Sequence, residues 1–499
     1  MVKMNFFQKY WKAVVQLVLL YAFTVGGIFW GLLFTDIREG GYKTAWWATL
    51  LRSFSLVTLP TAVLIFCGMT LPPLPVEKDK ITDYETQIAI RWTTRGTYPV
   101  LVQDVIQKSF QALKDQSNYR LEVVTESSVL VMETYENIPE DMYQEMIIPK
   151  DYKCPNGSLY KARGLVYGAV NSKCQPNAYI LHLDEESIVT EELYLGVRQF
   201  ISQHKGFIGQ GVITYANVNS NWQSYFCHLQ DSMRTGDDFA RFRFQCLIGK
   251  CLIGMKGSYM VVPNELEQTV GFDHGPRSSI TEDAWSALLH WDKLRFCRGM
   301  LVEQSPFTIR DIIKQRRRWA SGLWLLVIYH PAAWWKKTVL FMQMIAWIMS
   351  PLVAVSFVAS FVLFQYKMPV YLGVPLGFIF AMFNFQYVWG ALHHVHGSYF
   401  SKFLHVICVP FVLPIFMVVE GIAGVYGTVW PVSGFPLVEK QAESLCASSV
   451  GRRTPASSSN DLVGMAGGHV VSSNDLVALG GVIAENESEV VVSHGEENV

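Results

Sequence analysis

Charge is scarce in this sequence. Only 17% of its 499 residues are Asp, Glu, Lys or Arg, whereas 50% are hydrophobic. About a quarter of an ordinary soluble domain is charged, so this composition argues against a wholly soluble protein. Neither sign is in excess, since 41 Lys and Arg face 42 Asp and Glu for a formal net charge of −1. Nothing here provides the basic surface that nucleic acid requires. Paired cysteines are missing as well. The nine cysteines are scattered with no C-x-x-C pair, which leaves neither a zinc site nor a disulfide framework. Cys154, Cys174, Cys227, Cys246, Cys251 and Cys297 share one polar region. That points to a reduced, cytosolic setting for the region.

What the sequence has is long apolar runs. No charge falls within residues 13–35 or 53–76, the second broken by Pro60. Further runs lie at 338–364, 369–392 and 403–430. Each is long enough to cross a bilayer core, which takes about 20 apolar residues. The first run is too long for a cleaved signal peptide and a second follows closely. The expected organisation is therefore two membrane helices in 1–76, a polar block at 77–337, about three further helices in 338–438, and a tail at 439–499. Lys3, Lys9 and Lys12 place the start in the cytosol, and two crossings return the polar block to that side. Five spans would leave the C-terminus on the far side. Glu420 inside the last run marks either a functional carboxylate or a break between two shorter segments, and the break is the expectation. The tail is rich in Ser, Gly and acidic residues and repeats Ser-Ser-Asn-Asp-Leu-Val from Ser458 and from Ser472. Such composition cannot bury a core and reads as disordered. The sequons at Asn156 and Asn486 would matter only on the luminal side.

The central block alternates β-rich and helical patterns. Residues 87–92, 121–125 and 179–183 read as buried strands, with a helical pattern through Leu101, Val105, Ile106, Phe110 and Leu113 between the first two. This spacing suits βαβ units and a mostly parallel sheet, which binds ligands beyond the carboxyl ends of its strands. Glu126 ends the second strand and is either a turn acid or a ligand for a nucleotide's base or ribose. Asp184 and Glu186 end the third with alternating side chains that can converge on a hard divalent cation. Lys161 belongs to a helical stretch and faces either solvent or a diphosphate. Asp283 follows Thr281 and Glu282 at a helix start, where it is a cap or a general base. Gln315, Arg316, Arg317, Arg318 and Trp319 form a basic cluster beside an aromatic. A juxtamembrane lipid contact explains its charges but not its Gln or its order.

Taken in order, residues 124–127, 161–164, 184–186, 281–283 and 315–319 resemble the motif series of the family 2 membrane glycosyltransferases, which include cellulose, chitin and hyaluronan synthases. The text HLDEESIVTEE, GSYMVVPNELE, SSITEDAWSAL and QRRRWASGL looks like the egghead-type β-1,4-mannosyltransferases of invertebrates, which act on glucosylceramide. The resemblance covers about 87–337 and the flanking helices, and departs in Glu126, where an Asp is usual, and in the tail. It implies a GT-A-like (Rossmann-like) α/β catalytic domain in the cytosol, inserted between α-helical transmembrane segments of a Golgi or endoplasmic-reticulum protein. It implies inversion by a single displacement, with Asp283 as base and Mg²⁺ or Mn²⁺ on Asp184 and Glu186. Arg318 and Arg316 would face the diphosphate, Glu126 and Lys161 the rest of the donor, and Gln315 and Trp319 the acceptor sugar. The donor would be GDP-mannose, the acceptor glucosylceramide among membrane lipids, and the pathway glycosphingolipid biosynthesis. A processive polysaccharide synthase shares every motif, although five short-looped helices leave less material for a channel. A transporter or flippase with a cytosolic regulatory domain is the reading from another class, but the paired interrupted segments of transporters are missing.

Overall fold

The computed structural model describes residues 6–35, 46–71, 75–129, 138–216, 221–363, 365–394, 399–432 and 434. The tail at 439–499, with its repeat and Asn486, lies outside the described residues, as does Lys3. Helix α1 (Phe6–Leu33) is the first apolar passage. The second runs through α2 (Trp46–Ser53), a 3-10 stretch at Phe54–Thr58 and α3 (Leu59–Met69). Pro60 sits in the first turn of α3, where its missing N–H has no intrahelical partner to lose.

The polar block then builds one sheet. Its elements are β1 (Ile88–Thr93), α4 (Pro99–Ala112), β2 (Tyr119–Thr125), β3 (Tyr143–Ile147), α5 (Tyr160–Asn171), β4 (Tyr179–Leu183), α6 (Glu191–Gln203), β5 (Ile208–Ala216), α7 (Trp222–Asp237), β6 (Met260–Pro263), α8 (Glu282–Leu289) and β7 (Leu294–Gln304). The three expected strands and the helix between them stand where the apolar patterns put them. Every residue of β1, β4 and β5 is buried, which is why these strands read as continuous apolar runs rather than alternating ones.

The strand order is β3-β2-β1-β4-β6-β5-β7. All pairings are parallel except those of β6, which runs antiparallel to β4 and to β5. The result is a GT-A-like mixed sheet. The chain crosses from β1 outward to β2 and returns on the other edge of β1 as β4, so a topological switch point lies there. In the register, Thr93 pairs with Val124 and Trp92 with Leu183. The residues just beyond those strands, Thr94, Glu126 and Asp184, are thereby gathered at one rim.

The remaining helices are α9 (Ile309–Tyr329), α10 (Trp334–Ile348), α11 (Ser350–Val362), α12 (Val370–His394) and α13 (Tyr399–Val429). Among the described residues four passages are long and apolar enough to cross a membrane, or five if α10 and α11, bent by 59° at their junction, make one. The expected single span at 338–364 is thus a broken pair, with Pro351 opening the second half. The expected break at Glu420 is corrected, because α13 is continuous from Tyr399 to Val429. Its carboxylate needs no exit to water. Arg316 Nε donates to Glu420 Oε1 at 2.8 Å, and Gln230 Nε2 donates to the same oxygen at 2.7 Å.

Helix α12 lies inside the bundle, with 72% of its apolar window buried. Glycines let its neighbours approach. A β-carbon on Gly31 would stand 2.1 Å from Gly373 O, and one on Gly377 2.0 Å from Gly27 O, so α1 and α12 meet backbone to backbone. On the other side α7 touches α12 in the same way, since a β-carbon on Gly390 would stand 1.8 Å from Ser232 O. That contact joins the catalytic sheet to the apolar helices. Gly390→Val should therefore lower stability by about 1–3 kcal/mol, the usual cost of overpacking, and more if the two backbones cannot separate. Thermal unfolding in detergent reads this; an unchanged midpoint would show that the two helices part without cost.

Candidate active site

The rim of the switch point forms one wall of a cavity of about 440 Å³. Lys161 enters it from the start of α5. The residue before it, Tyr160, holds φ +53°, a left-handed conformation disfavoured for a side chain with a β-carbon. Lys161 Nζ donates to Asp184 Oδ1 and, at 3.1 Å, to Gly257 O. Lys161 therefore belongs to the site and does not solvate a helix face. Burial disfavours its ammonium, but Asp184, Glu282 and Asp283 outweigh burial and raise its pKa. Glu126 is held between cations, with Arg163 Nη1 at 3.1 Å from one oxygen and Arg95 Nε at 3.6 Å from the other.

Asp184 and Glu186 line the cavity beside Glu303, at the end of β7. Burial, and then the charges of Glu186 and Asp184, push the Glu303 carboxyl well above the usual carboxylate range. Among the described residues no three acidic, His or Cys side chains close a metal cage. A magnesium-like ion does not ask for one, because it takes one or two carboxylates and fills the rest of its shell with phosphate oxygens and water. The part of that rise that comes from neighbouring negative charge is what such an ion would relieve. The acidic set thus fits an oxygen-preferring divalent cation.

Thr281 is the N-cap of α8 but makes no side-chain cap bond. Asp283 Oδ1 accepts the Ala284 N–H at 2.8 Å. Its other oxygen is turned toward Gly257, where a β-carbon would stand 3.0 Å from Asp283 Oδ2 and 3.2 Å from Lys161 Nζ. Only glycine leaves that space open. Burial raises the pKa of Asp283, although the Ala284 N–H, Lys161 and Arg318 pull the other way. Burial and then Asp283 itself raise the neighbouring Glu282 as well. A carboxylate lifted toward neutral pH in a cleft is suited to proton abstraction.

The basic cluster divides. Arg318 lies in the cavity, donates to Ile280 O at 3.4 Å, and interacts with Glu282, Asp283 and Asp184. Arg316 is corrected. It reaches the cavity wall, but Nε donates to Glu420 and Nη2 to Asp231, each at 2.8 Å, and Nη1 donates to Gln315 Oε1 at 2.5 Å. A guanidinium committed to two carboxylates is not available to a diphosphate. It also stacks over Trp319 at 4.4 Å, joined by Arg234 at 4.6 Å, so the ring is held by two cations. Gln315 and Trp319 line the cavity as expected.

Sequence reasoning missed Glu303, Arg234, Gly257 and the Arg316 partners. A signal existed for Glu303, a lone acid ending the apolar run Met300, Leu301 and Val302. Another existed for α7 and the turn after it, where Asp231, Arg234 and Asp237, and then Arg241, recur every three or four residues as a charged stripe on a largely buried face. If Asp283 is the base, kcat/KM should rise with pH through a carboxyl pKa above the ordinary range. Arg318→Ala removes a cation that lowers that pKa, so the acid limb should move to higher pH. An unmoved limb in a pH–rate profile would separate Arg318 from the base.

The family description "Glycosyl transferase family group 2" matches residues 179–393. The β-1,4-mannosyltransferase egh of Drosophila melanogaster is 31% identical over 411 residues, covering 79% of this chain and 88% of that protein. The β-1,4-mannosyltransferase bre-3 of Caenorhabditis elegans is 29% identical over 461 residues, covering 87% and 99%. Among solved structures, the mannosyltransferase PcManGT of Pyrobaculum calidifontis, in complex with GDP-Man and Mn²⁺, is similar at a TM-score of 0.41 and 12% identity, covering 76% of this chain and 99% of that one.

Proposed function

From the premise that the chain belongs to the β-1,4-mannosyltransferases of glycosyltransferase family 2, we propose that it moves mannose from GDP-mannose to glucosylceramide with inversion, at a cytosolic site of a Golgi or endoplasmic-reticulum membrane. The mannose and its linkage are suggested by the relatives' names, and GDP-mannose and glucosylceramide by the resemblance of the catalytic text. The observation that carries the reading is that one cavity holds a carboxylate of raised pKa, the cations Lys161 and Arg318 beside it and an acidic rim, and then continues between the apolar helices.

Asp283 takes the proton of the acceptor hydroxyl as its oxygen attacks the anomeric carbon and the nucleoside diphosphate leaves from the opposite face. Positioned bases of this kind contribute about 10²–10⁴-fold. Negative charge grows on the leaving group, and Arg318 and Lys161 meet it with fixed positive charge in a site shielded from water. Glu126, braced by Arg95 and Arg163, faces the nucleoside end. Mg²⁺ or Mn²⁺ held by Asp184 and Glu186 would supply Lewis-acid stabilisation to the diphosphate. Trp319 and Gln315, fixed by Arg316, offer a stacking face and hydrogen bonds to the acceptor sugar. Charge stays at the membrane surface, so a glycolipid can present its headgroup without leaving the bilayer.

Purified protein offered GDP-mannose, UDP-glucose or UDP-GlcNAc with glucosylceramide should add one β-1,4-mannose from GDP-mannose alone. A long polymer would make the enzyme a processive synthase, and use of another donor would replace the mannose assignment. Asp184→Asn should abolish transfer while the protein melts normally, because a ligand charge is gone and the ion pair with Lys161 is weakened. Full turnover of that variant in excess EDTA would remove the metal from the reaction.

A further inference from the structure

The cavity does not end at Asp283. It runs on past Trp319 between α3, α10 and α13, where Thr61, Gln343, Trp347 and Met417 line it. Gln343 is 8% exposed. Its Oε1 accepts from Thr61 Oγ1 at 2.9 Å and from the Arg241 guanidinium. Arg241 in turn grips Asp237 through Nε at 2.5 Å and Nη2 at 2.6 Å. The Arg241 guanidinium fixes the amide orientation, since it has no acceptor and a flip would aim N–H at N–H. The amide nitrogen is therefore turned the other way, and Nε2 is buried without a hydrogen-bond partner among the described residues. One turn along α10, Trp347 Nε1 is also buried without one. Residues four apart share a helix face and both side chains belong to the lining of one cavity, so two unmet donors lie close together just behind its wall. Buried donors normally find acceptors, because leaving one unmet costs free energy.

We propose that Gln343 Nε2 and Trp347 Nε1 are a recognition pair for the headgroup of the acceptor, donating to oxygens of a neutral sugar carried on a lipid. The pair offers donors only, so the ligand must bring lone pairs. Arg241, the cation bonded to Gln343, already has its charge cancelled by Asp237, which leaves no surplus positive charge there for a lipid phosphate. Met417, Leu340 and Met344 surround the donors with the apolar surface that suits sugar C–H faces and the first carbons of a lipid chain. The pair thus selects an uncharged glycolipid over a phosphate-linked one and sets how deep its sugar sits. This inference rests on the glycolipid-acceptor reading above.

The test is equilibrium binding of a fluorescent short-chain glucosylceramide to the full chain in lipid nanodiscs without donor, with fluorescent ceramide and a polyprenyl phosphate as comparison probes. Trp347→Phe keeps the ring and removes the N–H. Gln343→Glu keeps Oε1 for Arg241 and Thr61 and replaces the donor with an oxygen. Each should weaken glucosylceramide binding by about threefold to tenfold, the worth of one hydrogen bond, and erode its preference over ceramide, with the melting temperature reporting the fold. Wild-type binding in both folded variants would overturn the pair and leave the acceptor reading standing. A wild-type protein that binds glucosylceramide no better than ceramide would sink that reading and the pair with it. Tighter binding of the polyprenyl phosphate would overturn the selectivity for a neutral headgroup.

Discussion

Asp283→Asn should lower turnover by about 10²–10⁴-fold while GDP-mannose binds nearly as before. The substitution keeps the shape of the side chain and its acceptor for the Ala284 N–H, so the start of α8 should persist. It removes the basic oxygen, which acts only as the acceptor hydroxyl attacks; a group acting in the transition state changes kcat and leaves donor affinity alone. It also removes a charge buried beside Glu282, whose carboxyl is raised partly by Asp283. The variant should thus melt no lower than wild type, and that separates lost chemistry from lost structure. If Asp283 only closed the helix, Asn would serve as well and activity would survive. In that event Glu282, buried in the same cavity, becomes the base to test as Glu282→Gln. Donor titration calorimetry with single-turnover product formation distinguishes these outcomes.

Arg316→Ala should produce the largest loss of stability, about 3–5 kcal/mol, because it leaves the buried carboxylates Asp231 and Glu420 without their shared cation. These two charges raise the Arg316 pKa against the effect of burial, which marks the ion triad as the centre of the contact between α7, α9 and α13. Arg316→Lys keeps one charge but loses the fork that reaches both partners, so it should fall between Ala and wild type. Combining Arg316→Met with Asp231→Asn and Glu420→Gln should recover much of the stability, since the triad's charges are all gone and only Arg234, which also stacks over Tyr215 and Trp319, loses an ion-pair partner. It should not recover activity, because Trp319 and Gln315 lose the guanidinium that holds them. Arg318→Ala should behave in the opposite way, weakening donor binding and turnover with little change in melting. Equal melting temperatures for Arg316→Ala and wild type would return Arg316 to the donor site.

Much of this protein is legible in its amino-acid sequence alone. Scarce charge with long apolar runs announces several membrane-length helices. Strands β1, β2 and β4 are readable because strands buried on both faces leave mostly apolar runs, interrupted only by Arg91, Arg120, Glu122 and His182. The acids just past them, Glu126 and Asp184, are readable because a strand ends where a charged side chain must reach the rim. The order of the Asp184–Glu186, Thr281–Asp283 and Gln315–Trp319 motifs carries the family resemblance, which the relatives bear out, since each motif is a few neighbouring residues legible without the fold.

The rest is decided by packing. Arginines 316 and 318 look alike in sequence, yet helix geometry turns one into the protein and the other into the cavity. The partners that claim Arg316 lie 85 and 104 positions away, on helices whose meeting no local pattern records. Glu420 looks like a helix break in sequence because a charge in an apolar run is costly, and only the arrival of Arg316 and Gln230 removes that cost. The unmet donors of Gln343 and Trp347 are likewise invisible until α3, α10 and α13 close around them. A sequence specifies which side chains carry charge and how often apolar ones recur. Which buried charge meets which, and which donor is left facing a cavity, depends on the contacts of helices far apart in the chain, and only the tertiary structure settles those.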